Sequence, residues 1–443
     1  MWSSLTISTL LFDDIHPPFK MKKKVIIIGG GFAGIKFAQN LDTKLFDILL
    51  IDKLNHHQFQ PLFYQVATSQ IEPSSVSFPL RYVFRNKADI QIRMAEVIEL
   101  HPPSRMVSTS IGEFFYDYLV LAVGCTTNFF KNQTIEKFAF PLKSTSDAIS
   151  IRNQIIAVFE RILSARDAEL DALFNLIIVG AGPTGVEMAG AFAEIKRYIL
   201  PKDYPSIDFS RFSIYLIEGN RNVLNSMSET TSKVSLAYLK KMGVNVLTEC
   251  FVKEYDGKIA ILSNGTSIPT NTVIWAAGVK GNKLNGLEEN VWMANDRIQV
   301  NRYNQVIGYD TIYAIGDIAY MPTPKYPTAH PQLANVAISQ AKLLSKNLKN
   351  SIVHKPRQEY EYTDLGVMAT IGRNKAVAEL PFIKLKGGIA WFIWMFLHLM
   401  LILSVRNKLI IFINWFWLYI TKNSSLRLIL KSNEKTIVPR SIP

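Results

Sequence analysis

The sequence predicts an α/β protein of two Rossmann-like units followed by apolar C-terminal helices. Three observations carry this. A strand, glycine loop and helix pattern occurs twice, at residues 25–34 and 176–185. Each copy is followed by a strand that ends in an acid, Asp52 and then Glu218. Beyond Gly366 the chain becomes apolar and aromatic, with basic residues between the runs.

Residues 1–20 lack the basic start and long apolar core of a secretory signal. They are expected to be a poorly ordered extension, or to precede a start at Met21, and the catalytic body is expected to face the cytoplasm. Val25-Ile26-Ile27-Ile28 is a continuous β-branched run, which suits a buried parallel strand. Gly29-Gly30-Gly31-Phe32-Ala33-Gly34 and a helix through Leu41 follow, then a strand over residues 46–52. The second unit repeats this with Leu176-Ile177-Ile178-Val179, Gly180-Ala181-Gly182-Pro183-Thr184-Gly185, a helix through about Ile195, and a strand over residues 212–218. Two further strand-like runs, 119–124 and 273–278, end in small residues at matching distances after the two loops, so the repeat covers whole domains. The expected division is 21–145 for the first domain, 146–285 for the second, 286–350 for the return to the first, and 351–443 for the C-terminal region.

The glycine pattern has a mechanism. Gly29 lets the chain turn off the strand, Gly31 lets the backbone approach a pyrophosphate, and Gly34 lets helix and strand pack closely. The pyrophosphate then sits on the free N–H groups at the helix N-terminus. Asp52 is placed to accept from the adenosine ribose. Gly180, Gly182, Gly185 and Glu218 repeat the set, with the acid displaced by the proline-containing stretch 200–205. One such loop is weak evidence of a dinucleotide site, but the flanking strand, helix and acid occur in both copies. Two pyrophosphate sites imply one prosthetic and one exchangeable dinucleotide. A third strand, Asp310-Thr311-Ile312-Tyr313-Ala314-Ile315-Gly316-Asp317, ends in a carboxylate suited to a ribityl hydroxyl. Glu218 near a ribose 2′ position favours NADH over NADPH, while Arg221 nearby opposes that preference.

The composition narrows the classes. With 443 residues, 19% charged and 48% apolar, the chain is globular and long enough for two or three domains. The net charge of +13 is spread along the chain without a nucleic-acid module, so no nucleic-acid partner is expected. The two cysteines, Cys125 and Cys250, form no C-x-x-C, which argues against a disulfide framework, a zinc ribbon, a cysteine-ligated cluster and a dithiol redox motif. His56-His57 lacks companion ligands, so no metal is expected. The apolar run 389–405 contains only His398 and Ser404 as polar residues; Arg406-Asn407-Lys408 interrupts it, and 409–420 carries Trp415, Trp417 and Tyr419. A spanning helix needs about 17–25 residues. The first run is at that limit and the second falls short of it, so helices lying in the headgroup interface are expected, with a buried hairpin or dimer contact as the other reading. Basic residues at 422, 427, 431, 435 and 440 follow.

From about Lys22 to Leu430 the chain resembles the bacterial type II NADH dehydrogenases, the single-subunit, non-proton-pumping NADH:quinone oxidoreductases. The residues that carry this are His57-Gln58-Phe59-Gln60-Pro61-Leu62-Phe63-Tyr64-Gln65-Val66-Ala67-Thr68, Tyr198-Ile199-Leu200-Pro201-Lys202-Asp203-Tyr204-Pro205, Trp275-Ala276-Ala277-Gly278-Val279, Ala369-Thr370-Ile371-Gly372-Arg373, and Arg406-Asn407-Lys408 before Asn414-Trp415. The resemblance implies two Rossmann-like dinucleotide-binding domains plus C-terminal membrane-anchoring helices. It implies non-covalent FAD in the first unit, NADH in the second, and menaquinone or ubiquinone as acceptor at the entry of a respiratory chain. It further implies a monotopic protein on the cytoplasmic face of the inner membrane, held at the lipid bilayer surface, with a homodimer through the C-terminal region.

The candidate FAD contacts are Gly29, Gly31, Phe32, Ala33, Gly34, Asp52, Lys53, Gln65, Val97, Ala122, Gly124, Gly316 and Asp317. Those for NADH are Gly180, Gly182, Pro183, Thr184, Gly185, Glu218, Ala277 and Gly278. By the same resemblance Glu187 lies near the flavin, orienting nicotinamide or relaying a proton, and Lys375 lies at the quinone pocket; their plainer readings are a helix first-turn acid and a surface lysine. His398 reads as an interface residue. Quinone contacts are expected at Gln60, Asn335, Ser339 and Gln340. Here the chain departs from the family pattern A-Q-x-A-x-Q, with Ala334-Asn335-Val336-Ala337-Ile338-Ser339 in its place. A sulfide:quinone oxidoreductase would need reactive cysteines near the flavin. An NADH-sensing flavoprotein would show flavin reduction with slow return by quinone.

Overall fold

A computed structural model describes residues 22–424 and 426–429; the expectations for residues 1–20 and for the last basic residues lie outside them. The elements that position the site are, in chain order, β1 (Lys23–Ile28), α1 (Phe32–Asn40), β2 (Phe46–Asp52), α2 (Phe63–Ala67), β3 (Ile90–Met94), β4 (Tyr118–Leu121), α3 (Thr145–Ile162), β5 (Asn175–Val179), α4 (Pro183–Tyr198), β6 (Ser213–Ile217), β7 (Val244–Leu247), β8 (Thr272–Trp275), β9 (Ile312–Ala314), α5 (Ala334–Ile352), β10 (Val367–Gly372), β11 (Lys375–Leu380), β12 (Ile383–Lys386), α6 (Gly387–Leu401) and α7 (Val405–Thr421).

Two five-stranded parallel sheets share one plan. The first runs β9-β4-β1-β2-β3 and the second runs Phe140–Pro141, β8, β5, β6, β7. In each, the strand before the glycine loop has neighbours on both sides, so a crevice opens at its C-terminal end where the connections diverge. β1 and β5 are central because their apolar runs are buried on both faces, from Val25 to Ile28 and from Leu176 to Val179. The turn off each strand needs positive φ, +108° at Gly29 and +97° at Gly180. A Cβ at Gly34 would lie 1.9 Å from the Gly29 carbonyl oxygen, and one at Gly185 would lie 1.8 Å from that of Gly180, so the third glycine of each loop serves close packing of helix and strand.

The C-terminal region is joined to the second unit. β10, β11 and β12 form an antiparallel sheet. Gly190 of α4 meets β10 so closely that a Cβ would lie 1.7 Å from the Ile371 carbonyl oxygen. Helix α6 covers β11 through Ala390 against Ala376 and Ala378. Trp394, Ile411 and Trp415 reach into the main core. The remaining faces of α6 and α7 expose Ile389, Phe392, Phe396, Leu409, Phe412 and Trp417, an apolar patch of the kind that marks a docking or membrane surface. Among the described residues, no helix is long and apolar enough to cross a membrane.

The expected interruption at Arg406-Asn407-Lys408 is instead the first turn of α7. Asn407 explains the difference. Its buried amide donates to the carbonyls of Ser74 (3.0 Å) and Ser75 (3.1 Å), so the helix starts where the side chain docks. Asn407→Ala should lower the free energy of unfolding by about 1–3 kcal/mol, read as a lower denaturant midpoint, because both carbonyls lose their donor.

Candidate functional site

The first cavity, about 720 Å³, lies between the β1 loop, the start of α4, the start of α5 and the end of α6. Gly31, Phe32, Ala33, Ala122, Gly124, Gly316 and Asp317 line it. No heavy atom lies within 4 Å of a Cβ built at Gly31. Helix α1 has no side-chain cap and no acid in its first turn, so its positive end is left to an anion. Asp52 stiffens the loop by accepting from Gly30 N–H (2.5 Å) and Leu54 N–H (2.7 Å). Burial raises its pKa while those two bonds pull it down. This cradle, which a side chain would fill, fits a dinucleotide diphosphate.

Asp317 receives a hydrogen bond from the Cys125 thiol at 2.9 Å. Burial first, and then the Asp317 charge, push the Cys125 thiol up to about 12, so it stays a protonated donor. The sequence gives no sign of this role for Cys125, since its partner lies 192 positions along the chain. Gln340 accepts from Gly316 N–H at 2.8 Å, so it supports the β9 loop from behind rather than lining the cavity.

A second cavity of about 700 Å³ lies above β5, β6 and β8, and is lined by Gly180, Gly182, Glu218, Ala277 and Gly278 with Phe130 and Lys253. Gly182 also has open space at its Cβ position, and α4 is uncapped with no acid in its first turn. Glu218 accepts from Ala181 N–H (2.7 Å), Asn220 N–H (2.8 Å) and the Asn220 amide (2.6 Å), which fixes its carboxylate at the strand end. Pro183 and Thr184 face the first cavity instead. The N-terminus of α4 therefore borders both.

Glu187 lines the first cavity one turn further on. It is 8% exposed, accepts from Thr370 N–H at 3.3 Å, and is pushed up to about 8 by burial. Its carboxyl therefore holds a proton at neutral pH. Glu187 and Tyr64 also line a third cavity, about 100 Å³, with Glu194, Arg373 and Trp394. Glu194 is two turns along the same face of α4. Burial raises its pKa, and it accepts from Arg373 N–H at 2.6 Å. Sequence reasoning missed Glu194, although its seven-residue offset from Glu187 was the available signal.

Several expected contacts lie elsewhere. Gln65 faces the third cavity and is tied to Tyr64 Oη (3.0 Å) and Trp415 Nε1 (2.8 Å), away from the glycine cradle. Ser339 turns back onto the Asn335 carbonyl (2.8 Å) and meets Tyr360 Oη (2.7 Å), outside the cavity. Lys375 lies where its charge acts on Glu194. Val97, in the small sheet of residues 97–115, and the exposed Lys53 line none of these three cavities. Gln60 and Asn335 do line the first cavity, with Gln60 Oε1 accepting from Lys143 Nζ at 3.0 Å. So does His398, whose Nδ1 lies 2.8 Å from the Trp394 carbonyl; burial lowers it to about 4, so it is neutral.

Fold and cradles together define a two-dinucleotide oxidoreductase. A model of the pyridine nucleotide-disulphide oxidoreductase family matches residues 23–341, and a model of the NDH2 C-terminal domain matches residues 365–422. Type II NADH:quinone oxidoreductase Ndh of Mycobacterium tuberculosis is 32% identical over 416 residues, covering 90% of this chain and 88% of that protein. NdhA of the same organism is 28% identical, covering 89% and 86%. The structure of NDH2 from Plasmodium falciparum in complex with NADH superimposes with a TM-score of 0.85 at 24% identity, covering 93% of this chain and 100% of that one. The chain belongs to the type II NADH:quinone oxidoreductase family, NDH2. The sulfide:quinone oxidoreductase of Aquifex aeolicus shares the fold, with a TM-score of 0.69 at 19% identity over 90% of this chain and 96% of that one. In the present chain the two cysteines are separate, Cys125 against Asp317 and Cys250 against Ser263.

Proposed function

We propose that this chain oxidises NADH and reduces a membrane quinone through FAD held non-covalently in the first cavity. One observation carries the reading: a single cavity has a dinucleotide cradle on one side, the start of α4 on another, and the apolar residues Leu397, Met400 and Leu401 of α6 on a third. FAD, when bound, supplies the ring that accepts hydride and passes the electron pair on. The residues bind, orient and move protons. Gly31 and the α1 N-terminus would hold the flavin diphosphate, Asp52 would take its ribose and Asp317 its ribityl chain. Gly182 and the α4 N-terminus hold the NADH diphosphate, and Glu218 selects the free 2′-hydroxyl. A quinone entering past Leu397 and Met400 takes up two electrons and two protons. Glu187 gives it one proton from its neutral carboxyl and regains that proton from the side of Glu194 through the third cavity; the other is the proton that left NADH with the electron pair as hydride.

On this reading residues 21–145, apart from Phe140–Pro141 in the second sheet, and 286–350 form the flavin domain, residues 146–285 the NADH domain, and residues 351–443 the anchor. The exposed faces of α6 and α7 lie on the cytoplasmic surface of the inner membrane, and a second copy pairs through the same region. Rapid mixing tests the reaction. NADH should bleach the bound flavin, and a menaquinone or ubiquinone analogue should restore its colour within the turnover time. If neither quinone restores it, the assignment fails. Glu218→Ala should raise the KM for NADH by about tenfold or more, the worth of a charged hydrogen bond, and leave the KM for quinone unchanged. Equal changes in both would displace NADH from the second cavity.

A further inference from the structure

Arg152, on α3, is a charged side chain with no ion-pair partner among the described residues. It is 2% exposed. Its Nε and Nη2 are buried and make no hydrogen bond to any described residue. It borders a cavity of about 390 Å³ between α3, α4 and the segment that follows α7. Burial pulls its pKa below the usual guanidinium range, and no acid among the described residues offsets that pull. A buried guanidinium without a counter-charge is among the costliest arrangements in a folded chain.

The acids of this cavity are already engaged. Asp203 pairs with Arg427 (Nη2 to Oδ1, 3.1 Å), and Glu160 accepts from the Tyr204 hydroxyl at 2.8 Å. The rest of the wall is largely apolar, with Phe159 and Phe192 among it. Ser424 and Arg427 border the same cavity, and Leu428 and Ile429 beyond them are exposed. The missing counter-charge therefore belongs to an anion that also has an apolar body, beside the chain's own apolar surface. A phosphate group suits the planar donor fork of an arginine.

We infer that Arg152 anchors a phosphate group in this cavity, the headgroup of an acidic phospholipid whose apolar part lies along the phenylalanine wall. Inorganic phosphate shares the chemistry. The lipid source rests on the membrane-surface reading of α6 and α7, whereas the anion site stands without it.

Thermal unfolding of the FAD-loaded protein in phosphate-free buffer tests this, with wild type, Arg152→Lys and Arg152→Met. Short-chain phosphatidylglycerol, short-chain phosphatidylcholine and inorganic phosphate are added separately. A ligand that binds only the folded state raises the midpoint, here by several degrees at saturation. Phosphatidylglycerol should do so in wild type, in part with Arg152→Lys, and not with Arg152→Met. A shift with inorganic phosphate alone, lost in Arg152→Met, supports the anion site and overturns lipid as its source. Equal shifts in wild type and Arg152→Met overturn the site. Without any ligand, Arg152→Met should melt at or above wild type, since an uncompensated charge is replaced by an apolar chain. A variant melting well below wild type would mean that the guanidinium has an internal partner, and would overturn the inference. NADH:ferricyanide turnover should be the same in all three proteins, which separates this test from the fate of the quinone assignment.

Discussion

Gly31→Val yields a folded but colourless protein. The backbone at Gly31 is extended, with φ −79° and ψ −167°, which any residue adopts. Nothing stands within 4 Å of the new Cβ, so the chain folds without strain and the side chain takes the space of the diphosphate. Losing two charge-assisted hydrogen bonds of about 1.5–3 kcal/mol each weakens flavin affinity by about two to four orders of magnitude. Flavin absorbance after purification, beside an unchanged circular dichroism melt, reads this directly. Gly182→Val is the matched control, since its backbone is also extended and its Cβ space also open. That variant should stay yellow and lose NADH binding by a similar factor. A colourless Gly182→Val, or a yellow Gly31→Val, would exchange the two cofactors between the units.

Glu187→Gln separates the two half-reactions. Bleaching of the flavin by NADH should change by no more than a few-fold. Quinone-dependent turnover should fall by about 10²–10⁴, the range of a lost general acid. Loss of both half-reactions in equal measure would give Glu187 a role in shaping the cavity instead. The same variant has a stability signature. The folded pKa, about 8, lies above the ordinary value of 4.5. Between those values the unfolded chain has released the proton and the folded chain keeps it, so stability falls as pH rises through that window. Glu187→Gln removes this slope. Compared with wild type, it should gain on the order of a few kcal/mol as pH rises from about 5 to about 8. Parallel denaturation curves for the two proteins across that range would place the titration elsewhere.

The parts of the molecule that were legible in the sequence answer local steric demands. Gly29, Gly31 and Gly34 each meet one requirement of one turn, and the acid closing β2 lies one βαβ unit away. The same holds for Gly180, Gly182 and Gly185. Contacts made by arrival from a distance were not legible. Gln65 is claimed by Trp415, 350 positions on, and Asn407 by carbonyls more than 330 positions back. Ser339 is the reverse case, since a short side chain on a helix finds its own carbonyls first. Lys375 acts on Glu194 because β10 packs on α4 and brings its hairpin partner β11 with it, a pairing that no spacing announces. Arg152 reads as an ordinary helix arginine until the walls around it are seen.

Helix α4 begins at the two nucleotide cavities and is clamped at Gly190 by the sheet that carries the oily helices. From Pro183 to Gly190 that is a rod of about 10 Å. It is one uninterrupted helix, and the clamp leaves no room for so much as a methyl group. Both reactants of the proposed reaction thus meet near the start of one stiff ruler, and the sheet that carries the apolar helices grips it farther along. On the proposed membrane-surface reading of α6 and α7, electrons enter at a fixed height above the lipid, and any acceptor must rise to that height to collect them. Detaching the chain from its bilayer should therefore leave reduction by NADH untouched and strand the electrons where they arrive.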